Sequence, residues 1–278
     1  MKTFHSSLRC VVLSTQRTYA DLLKALGWQV SFIALQHDES QWAWGDLTRD
    51  GLLRKADVVV WDISTIALEP GAKSQELYLY YRSVGEYLED LLNEKEARPS
   101  SWILLNSAAL YERSSLPVSE DSPAGEHAIS QVLLQIERLF HKAYVPKVRK
   151  VALRLGLLLH EQARWWRWVP SACKQLHERP PMATLLPHDY CKAMQFVVER
   201  TDISGIFNVA SPSLDTWDAI HAYWKQHSTG SIGFLEQLSL WWHKEEVLRF
   251  RRWAFLSIDR IRKKGCALSE DDSWAQSA

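Results

Sequence analysis

Short apolar runs rich in β-branched residues alternate with stretches of helical periodicity through the first two-thirds of the chain. A strand buried on both faces reads as a short continuous apolar run, whereas a helix against a core shows apolar residues three and four positions apart. The predicted strands are residues 10–14, 29–35, 57–61, 102–106, 148–155 and 206–210. Their alternation with helices predicts an α/β fold with a doubly wound, mostly parallel sheet and helices on both faces.

Three apolar stripes predict helices between these strands. The first ends at Gly27, a residue type common just past a helix end, and consists of Tyr19, Leu22, Leu23 and Leu26. The second belongs to a helix that we expect Ser74 to cap, and consists of Leu77, Tyr81, Val84, Leu88 and Leu91. The third, on a helix from about residue 126 to 143, consists of Ile129, Val132, Leu133, Ile136, Leu139 and Phe140.

Beyond residue 156 the alternation loosens. A stretch rich in Trp, Arg and Pro runs to Pro181, and a further helix is predicted after Asp189. We therefore expect two parts, a sheet domain over residues 1–156 and a smaller C-terminal lobe over residues 157–278 that packs on it, with some elements returning to the sheet. No internal repeat or low-complexity linker separates the two parts.

Composition narrows the function classes. Of the 278 residues 46% are hydrophobic, which is ample for a buried core. Lys+Arg and Asp+Glu number 33 each, so the chain has no net field to attract nucleic acid or an anionic membrane. The first residues lack an apolar signal core, and no apolar run is long enough to cross a bilayer. The four cysteines and ten histidines show neither disulfide nor metal-ligand spacing, so we expect a cytoplasmic protein without a metal.

One segment carries a sequence motif. Residues 103–111 read Ile-Leu-Leu-Asn-Ser-Ala-Ala-Leu-Tyr, residues 119–123 read Ser-Glu-Asp-Ser-Pro, and residues 127–131 read His-Ala-Ile-Ser-Gln. This order resembles the active-site region of the extended short-chain dehydrogenase/reductases, the NAD-dependent epimerase/dehydratase superfamily, which reads Ser-Ser-Ala-x-Val-Tyr-Gly, Glu-x-x-Pro and Tyr-x-x-x-Lys. Ser107 falls on the family's catalytic Ser/Thr, His127 on its Tyr and Gln131 on its Lys.

Weaker matches follow in the family's order over about residues 10 to 265. They are Asp57, the Arg154-Leu-Gly156 segment, His188-Asp189, Asn208 and the segment 257–265. The resemblance implies a Rossmann-like dinucleotide-binding domain over residues 1–156, a substrate lobe after it, and NAD or NADP as the cofactor.

The expected cofactor loop departs from the family pattern. NAD(P)-binding members carry Gly-x-x-Gly-x-x-Gly after the first strand, because the turn and the close approach of the pyrophosphate exclude a Cβ. Here no glycine precedes Gly27, and Ser14, Thr15 and Arg17 are the candidate cofactor contacts in the turn. We therefore predict that NAD(P) binds weakly, in the high micromolar range or worse, or not at all.

The catalytic pair is also replaced. In the family the Lys ammonium lowers the pKa of the Tyr that acts as general acid/base, and Gln131 cannot supply that charge. His127 can exchange a proton near neutral pH, and Ser107 with Tyr111 is an alternative acid. We predict a binding or interaction module without Tyr/Lys redox chemistry. The alternative is an active oxidoreductase or epimerase-like enzyme acting on a nucleotide sugar or another small hydroxylated metabolite.

A cluster of arginine and tryptophan provides candidate recognition residues. It consists of Arg164, Trp165, Trp166, Arg167 and Trp168. These side chains either stack on a planar ligand or contact a protein partner, or they pack their indoles against the core. The expected partner is a small-molecule ligand or a protein.

Overall fold

The computed structural model describes residues 8–35, 47–68, 73–94, 99–160, 181–212, 216–227 and 253–268. Its strands are β1 (Arg9–Ser14), β2 (Gln29–Ala34), β3 (Val58–Asp62), β4 (Ser101–Ser107), β5 (Arg149–Leu155), β6 (Leu157–Leu158), β7 (Thr184–Leu185) and β8 (Gly205–Val209). Its α-helices are α1 (Thr18–Ala25), α2 (Leu47–Lys55), α3 (Ser74–Asn93), α4 (Ala128–Lys142), α5 (Pro187–Glu199), α6 (Trp217–His227) and α7 (Asp259–Lys263). Short 3-10 helices, Ser64–Leu68 and Ala108–Leu110, follow β3 and β4.

Six of the strands form one parallel sheet in the order β2-β1-β3-β4-β5-β8. Val11 on β1 pairs with Val59 on β3, and Trp61 on β3 pairs with Leu104 on β4. Both β3 and β4 are buried along their whole length, which explains why they read as continuous apolar runs. The predicted Rossmann-like parallel sheet flanked by helices is therefore confirmed.

The predicted helical stripes face the core. Every stripe residue of α3 is buried, and Gly27 takes a φ of 85° just past α1, in the region that glycine enters most easily. One detail of the prediction was wrong: Ser74 is the first residue of α3, and the cap is Lys73. The reason is that Lys73 already has the extended backbone of a cap, although its side chain makes no capping bond.

Residues after 156 form two kinds of structure. β6 and β7 make a separate two-stranded pair, whereas β8 returns to the main sheet beside β5. Gly156 permits the exit from β5, because a Cβ there would lie 2.8 Å from the carbonyl carbon and oxygen of Thr184. The division of the chain into two parts at residue 156 stays a prediction.

Within the described ranges, no helix is long and apolar enough to span a bilayer. Nor do three or more His, Cys, Asp or Glu side chains group in these ranges so that they could hold a metal ion. Cys10, Cys191 and Cys266 are free thiols.

Candidate functional site

The strand order reverses at β1, and the candidate site lies at this reversal. From β1 the chain passes to β2 on one side and then to β3 on the other. Ligands of open α/β sheets bind beyond the carboxyl ends of the strands at such a reversal. Ser14 ends β1, Asp62 ends β3 and Ser107 ends β4. All three residues therefore lie at the carboxyl edge of the sheet, where a ligand is expected.

A cleft opens at this edge. We call it the switch-point cleft. Its polar lining consists of Gln16, Thr18, Tyr19, Ser64, Thr65 and Ser107. Its remaining lining consists of Leu155, Gly156, Leu157, Leu158 and Trp253. Among these described lining residues none carries a charge, so the cleft suits a small molecule with hydroxyl or amide groups and an apolar face.

Asp62 lies one hydrogen bond away from the cleft, and its side chain is fully buried. Ser14 Oγ donates to Asp62 Oδ2 at 2.5 Å. Ser64 donates to Oδ1 twice, from its backbone N at 2.9 Å and from its Oγ at 2.6 Å. Burial opposes the charged form and raises the pKa of Asp62 to about 6, although all three donors act to lower it. A buried acid at the strand reversal therefore titrates close to neutral pH.

The turn between β1 and α1 is tied to the segment after β3. Gln16 donates its backbone N–H to Ser14 Oγ at 3.0 Å. Thr15 donates its hydroxyl to Thr65 Oγ1 at 2.9 Å. Two of the predicted cofactor contacts, Ser14 and Thr15, thus lie at the reversal and already bond to protein groups.

Arg17, the third predicted cofactor contact, is the N-cap residue of α1 and is exposed. Its guanidinium carbon lies 5.1 Å from the centroid of the Phe32 ring on β2, a cation–π distance. Arg17 is not one of the residues that line the switch-point cleft. The structure therefore places it on the β2 side of the turn.

Ser107 is buried at the end of β4 and lines the cleft. Its Oγ accepts a hydrogen bond from Ala109 N at 3.1 Å, which caps the short helix that follows. Its backbone N donates to Asn106 Oδ1 at 2.8 Å. Ser107 therefore reaches the cleft, and its predicted catalytic role stays a prediction.

The side chains of His127 and Gln131 both make hydrogen bonds at the start of α4. The exposed His127 is the N-cap, and its Nδ1 accepts from Ile129 N at 3.2 Å. Gln131 is half-buried and donates its Nε2 to Gly125 O at 2.7 Å. Neither side chain belongs to the lining of the switch-point cleft. The structure gives both residues local bonds at the helix start, and their predicted catalytic roles stay predictions.

Tyr111 lies in a buried polar network rather than at the cleft. Its hydroxyl donates to Asn208 Oδ1 at 2.8 Å and accepts from Arg154 Nη1 at 2.5 Å. Burial raises the pKa of Tyr111 to about 12, against the lowering effect of the Arg154 charge. A phenol with this pKa and these partners holds its proton throughout the physiological range.

Two buried carboxylates were not predicted from the sequence, although each left a signal. Asp62 is an acid at the end of the apolar run Val58–Asp62 and is therefore expected to be buried at the sheet edge. Glu137 comes four residues after Leu133, which places it on the core face of α4. Because a buried carboxylate needs a partner, each position predicts a specific polar contact.

The recognition cluster from Arg164 to Trp168 lies outside the described residues. Its role in ligand or partner recognition stays a prediction.

The fold is a Rossmann-like α/β fold with a cleft where the strand order reverses. A scan against protein-family models gave no match, and a search of curated protein sequences gave none either. Among solved structures, 201 chains are similar. The chain has the fold of the NAD-dependent epimerase/dehydratases, that is, of the extended short-chain dehydrogenase/reductases.

Three of these structures illustrate the likeness. The human epimerase family protein SDR39U1 (isoform 2) with NADPH is 16% identical, with a TM-score of 0.65 over 94% of this chain and 95% of that chain. The nucleoside-diphosphate sugar epimerase of Corynebacterium glutamicum is 14% identical, with a TM-score of 0.69. The similarity covers 98% of this chain and 58% of the Corynebacterium glutamicum chain. The UDP-glucuronic acid 4-epimerase of Bacillus cereus in complex with NAD is 15% identical, with a TM-score of 0.55 over 80% and 83% of the chains.

The local residues do not fit a dinucleotide in the way that the fold would suggest. A diphosphate at a helix N-terminus is held by free backbone N–H groups of the turn. Here the Gln16 N–H bonds to Ser14 Oγ, and Ser14 in turn bonds to the buried Asp62 carboxylate. No cationic side chain is found among the described lining residues to offset that charge. The Gln16 amide is therefore not free to hold a diphosphate, and the described lining of the cleft lacks the cationic side chain that would favour one.

Proposed function

We propose that the protein is a ligand-binding module on an epimerase/dehydratase-type scaffold and that it lacks the family's Tyr/Lys hydride transfer. The observation that carries the proposal is the neutral, hydroxyl-lined switch-point cleft with the buried Asp62 carboxylate beside it. Such a cleft accepts an uncharged ligand more readily than a diphosphate, because like charges repel strongly where water is excluded. A cytoplasmic location is part of the proposal.

The absence of hydride transfer follows from the chemistry of the replaced pair. A phenol becomes a useful base near neutral pH only when a nearby cation stabilises its phenolate. Gln131 is neutral, and its amide is bonded to Gly125 O. Tyr111, the nearest substitute in the motif, has a pKa raised to about 12. Neither residue supplies a proton carrier to the cleft.

The lining indicates what kind of ligand the module takes. Hydroxyl and amide groups of Gln16, Thr18 and Ser107 can bond to hydroxyls of a ligand, while Leu157 and Trp253 offer an apolar surface. A sugar or nucleoside has both kinds of surface. We therefore propose a small, neutral, hydroxylated molecule as the ligand, with a protein partner as the other candidate.

Titration of the purified full chain tests the proposal. NAD, NADH, NADP, NADPH, adenosine and free hexoses would each be titrated by calorimetry and by tryptophan fluorescence, since the chain contains 14 tryptophans. We expect the dinucleotides to bind in the high micromolar range or more weakly, with at least one neutral molecule binding better. A dinucleotide retained through purification, or one bound at low micromolar concentration, would contradict the proposal.

An active oxidoreductase or epimerase-like enzyme is the second candidate. It is favoured by Ser107, which lines the cleft at the end of β4 as the family's catalytic Ser/Thr would. Its substrate would be a nucleotide sugar or another small hydroxylated metabolite, with His127 exchanging the proton. Turnover lost in both Ser107→Ala and His127→Phe would support this candidate. Turnover that survives His127→Phe would remove His127 from the mechanism.

A further inference from the structure

We propose that the Asp62 carboxylate sets the charge specificity of the switch-point cleft by keeping out the diphosphate of a dinucleotide. The inference rests on the proposed function, because it explains why a cleft in a cofactor-binding fold would prefer neutral ligands. It also names the chemical class that is excluded.

The position of Asp62 in the sheet supports this role. Asp62 ends β3 and Ser14 ends β1, and these two strands are neighbours at the point where the strand order reverses. The helix that follows β1 starts at Thr18, four residues after the last residue of the strand. The diphosphate of a dinucleotide is held at that helix start in folds of this type. The carboxylate therefore lies beside the expected diphosphate position.

A chain of hydrogen bonds connects the carboxylate to the turn. The Gln16 N–H donates to Ser14 Oγ at 3.0 Å, and Ser14 Oγ donates to Asp62 Oδ2 at 2.5 Å. A turn amide that could face a phosphate oxygen is thus occupied by a protein hydroxyl. Successive bonds of this kind polarise one another, so the negative charge of Asp62 is felt at the turn.

The groups that contact the Asp62 carboxylate do not neutralise its negative charge. Ser14 and Ser64 donate to it, and the buried Tyr19 reaches Ser64 Oγ at 3.1 Å. Among the residues that the structure describes, Tyr190 also senses the charge of Asp62, and burial raises the pKa of both tyrosines. No Lys, Arg or His contacts the Asp62 carboxylate in the described part of the chain. The charge is therefore solvated by hydroxyls and one amide, without a counter-ion.

Asp62→Asn removes the charge with almost no change of shape. The amide oxygen keeps the two bonds from Ser64 N and Ser64 Oγ, and the amide nitrogen can donate to Ser14 Oγ. Asp57→Asn is the matched control, because it makes the same change of net charge at the opposite end of the same strand. There Asp57 is partly exposed and paired with Arg9.

The experiment titrates the full chain with NADPH, inorganic diphosphate and adenosine by calorimetry at pH 7.5. We expect Asp62→Asn to bind NADPH and diphosphate at least tenfold more tightly than the wild-type protein, a gain of about 1.4 kcal/mol. We expect less than a twofold change for adenosine, and less than a twofold change for any probe with Asp57→Asn. If Asp62→Asn does not fold, Asp62→Ser serves the same comparison, since it also removes the charge and keeps one oxygen.

Equal diphosphate affinity in a folded neutral variant and in the wild-type protein would overturn the inference. So would an equal gain in the Asp57→Asn control, because the effect would then be one of net charge alone. Low-micromolar dinucleotide binding by the wild-type protein would instead count against the proposed function. The role of Asp62 is judged separately, from the ratio between the variant and the wild-type protein.

Discussion

Arg154 and Glu137 form a buried ion pair joined by two hydrogen bonds. Arg154 Nε donates to Glu137 Oε2 at 3.0 Å and Nη2 donates to Oε1 at 2.5 Å. The two side chains are only 5% and 3% exposed. Asn106 adds a further bond to Glu137 Oε2 at 2.8 Å. The pair thus links β4, β5 and α4 beneath the carboxyl edge that carries the switch-point cleft.

Breaking this pair should destabilise the protein strongly. Glu137→Gln leaves the Arg154 guanidinium buried without its carboxylate, and we expect a loss of about 3–5 kcal/mol in the free energy of unfolding. Urea denaturation followed by far-UV circular dichroism measures it. Glu86→Gln is the control, because Glu86 pairs with Arg82 on the exposed face of α3. Equal unfolding midpoints for the two variants would show that the buried pair contributes no more than the exposed one.

Tyr111→Phe tests whether the tyrosine is structural. The change leaves Arg154 Nη1 and Asn208 Oδ1 each without one buried partner, so we expect a loss of about 1–3 kcal/mol in the free energy of unfolding. Affinity for any ligand of the cleft should stay unchanged. Tyr144→Phe is the control, since Tyr144 is 72% exposed. A Tyr111→Phe protein with unaltered stability but weakened ligand binding would instead assign the hydroxyl to the site.

The fold could be predicted from sequence because its signals are local. The continuous apolar run over residues 58–61 can be recognised without knowing its neighbours, and the parallel order follows from the alternation with helices. The return of β8 to the sheet beside β5 was harder to place, because strand pairing across 50 residues leaves no local pattern.

The candidate site was harder to predict from the sequence than the fold, because the roles of its residues depend on partners far away in the chain. Ser107 could be selected as a candidate from a motif, and the structure places it in the lining of the cleft. The bond between Ser14 and Asp62 spans 48 positions and has no motif. The capping bond of His127 depends on where α4 begins, and helix boundaries are uncertain by a few residues in sequence-based prediction. The sequence alone therefore gives only a set of candidate site residues at the strand ends.

His127 is expected to act as a helix cap. His127→Ala removes the acceptor for Ile129 N, and we expect a loss of about 0.5–2 kcal/mol in the free energy of unfolding. His127→Asn keeps a capping acceptor and should restore most of that loss. Thermal and urea denaturation of the three proteins make the comparison. If the enzyme candidate is right, both variants lose turnover alike, whereas a pure capping role predicts that ligand binding survives in both.

Gly156→Ala should distort the wall of the switch-point cleft. A Cβ at this position meets the Thr184 carbonyl at 2.8 Å, and because that neighbour is backbone, we expect a loss of about 1–3 kcal/mol in stability. Gly51→Ala in α2 is the control, where no atom lies within 4 Å of the added Cβ. There we expect a gain of about 0.5–1 kcal/mol from helix propensity. Similar unfolding midpoints for the two variants would contradict the close approach at Gly156.

The raised pKa of Asp62 predicts how stability depends on pH. Its folded-state pKa of about 6 lies above the ordinary value of 3.8, so the folded protein holds this proton more tightly than the unfolded chain. The resulting stability is complete below the unfolded pKa and is lost as the pH rises through about 6. Relative to Asp62→Asn, the wild-type protein should therefore lose about 1–2 kcal/mol between pH 5 and pH 8.

Urea denaturation of both proteins at several pH values between 5 and 8 measures this difference, and taking the difference cancels groups that titrate alike in both. Asp57→Asn supplies the control, because Arg9 lowers the pKa of Asp57 and its titration lies below this window. The stability difference between the wild-type protein and Asp57→Asn should therefore be flat. A flat difference for Asp62→Asn as well would mean that Asp62 is ionised throughout the window. The carboxylate would then keep its full charge beside the cleft at every pH tested, and its effect on diphosphate binding should be independent of pH.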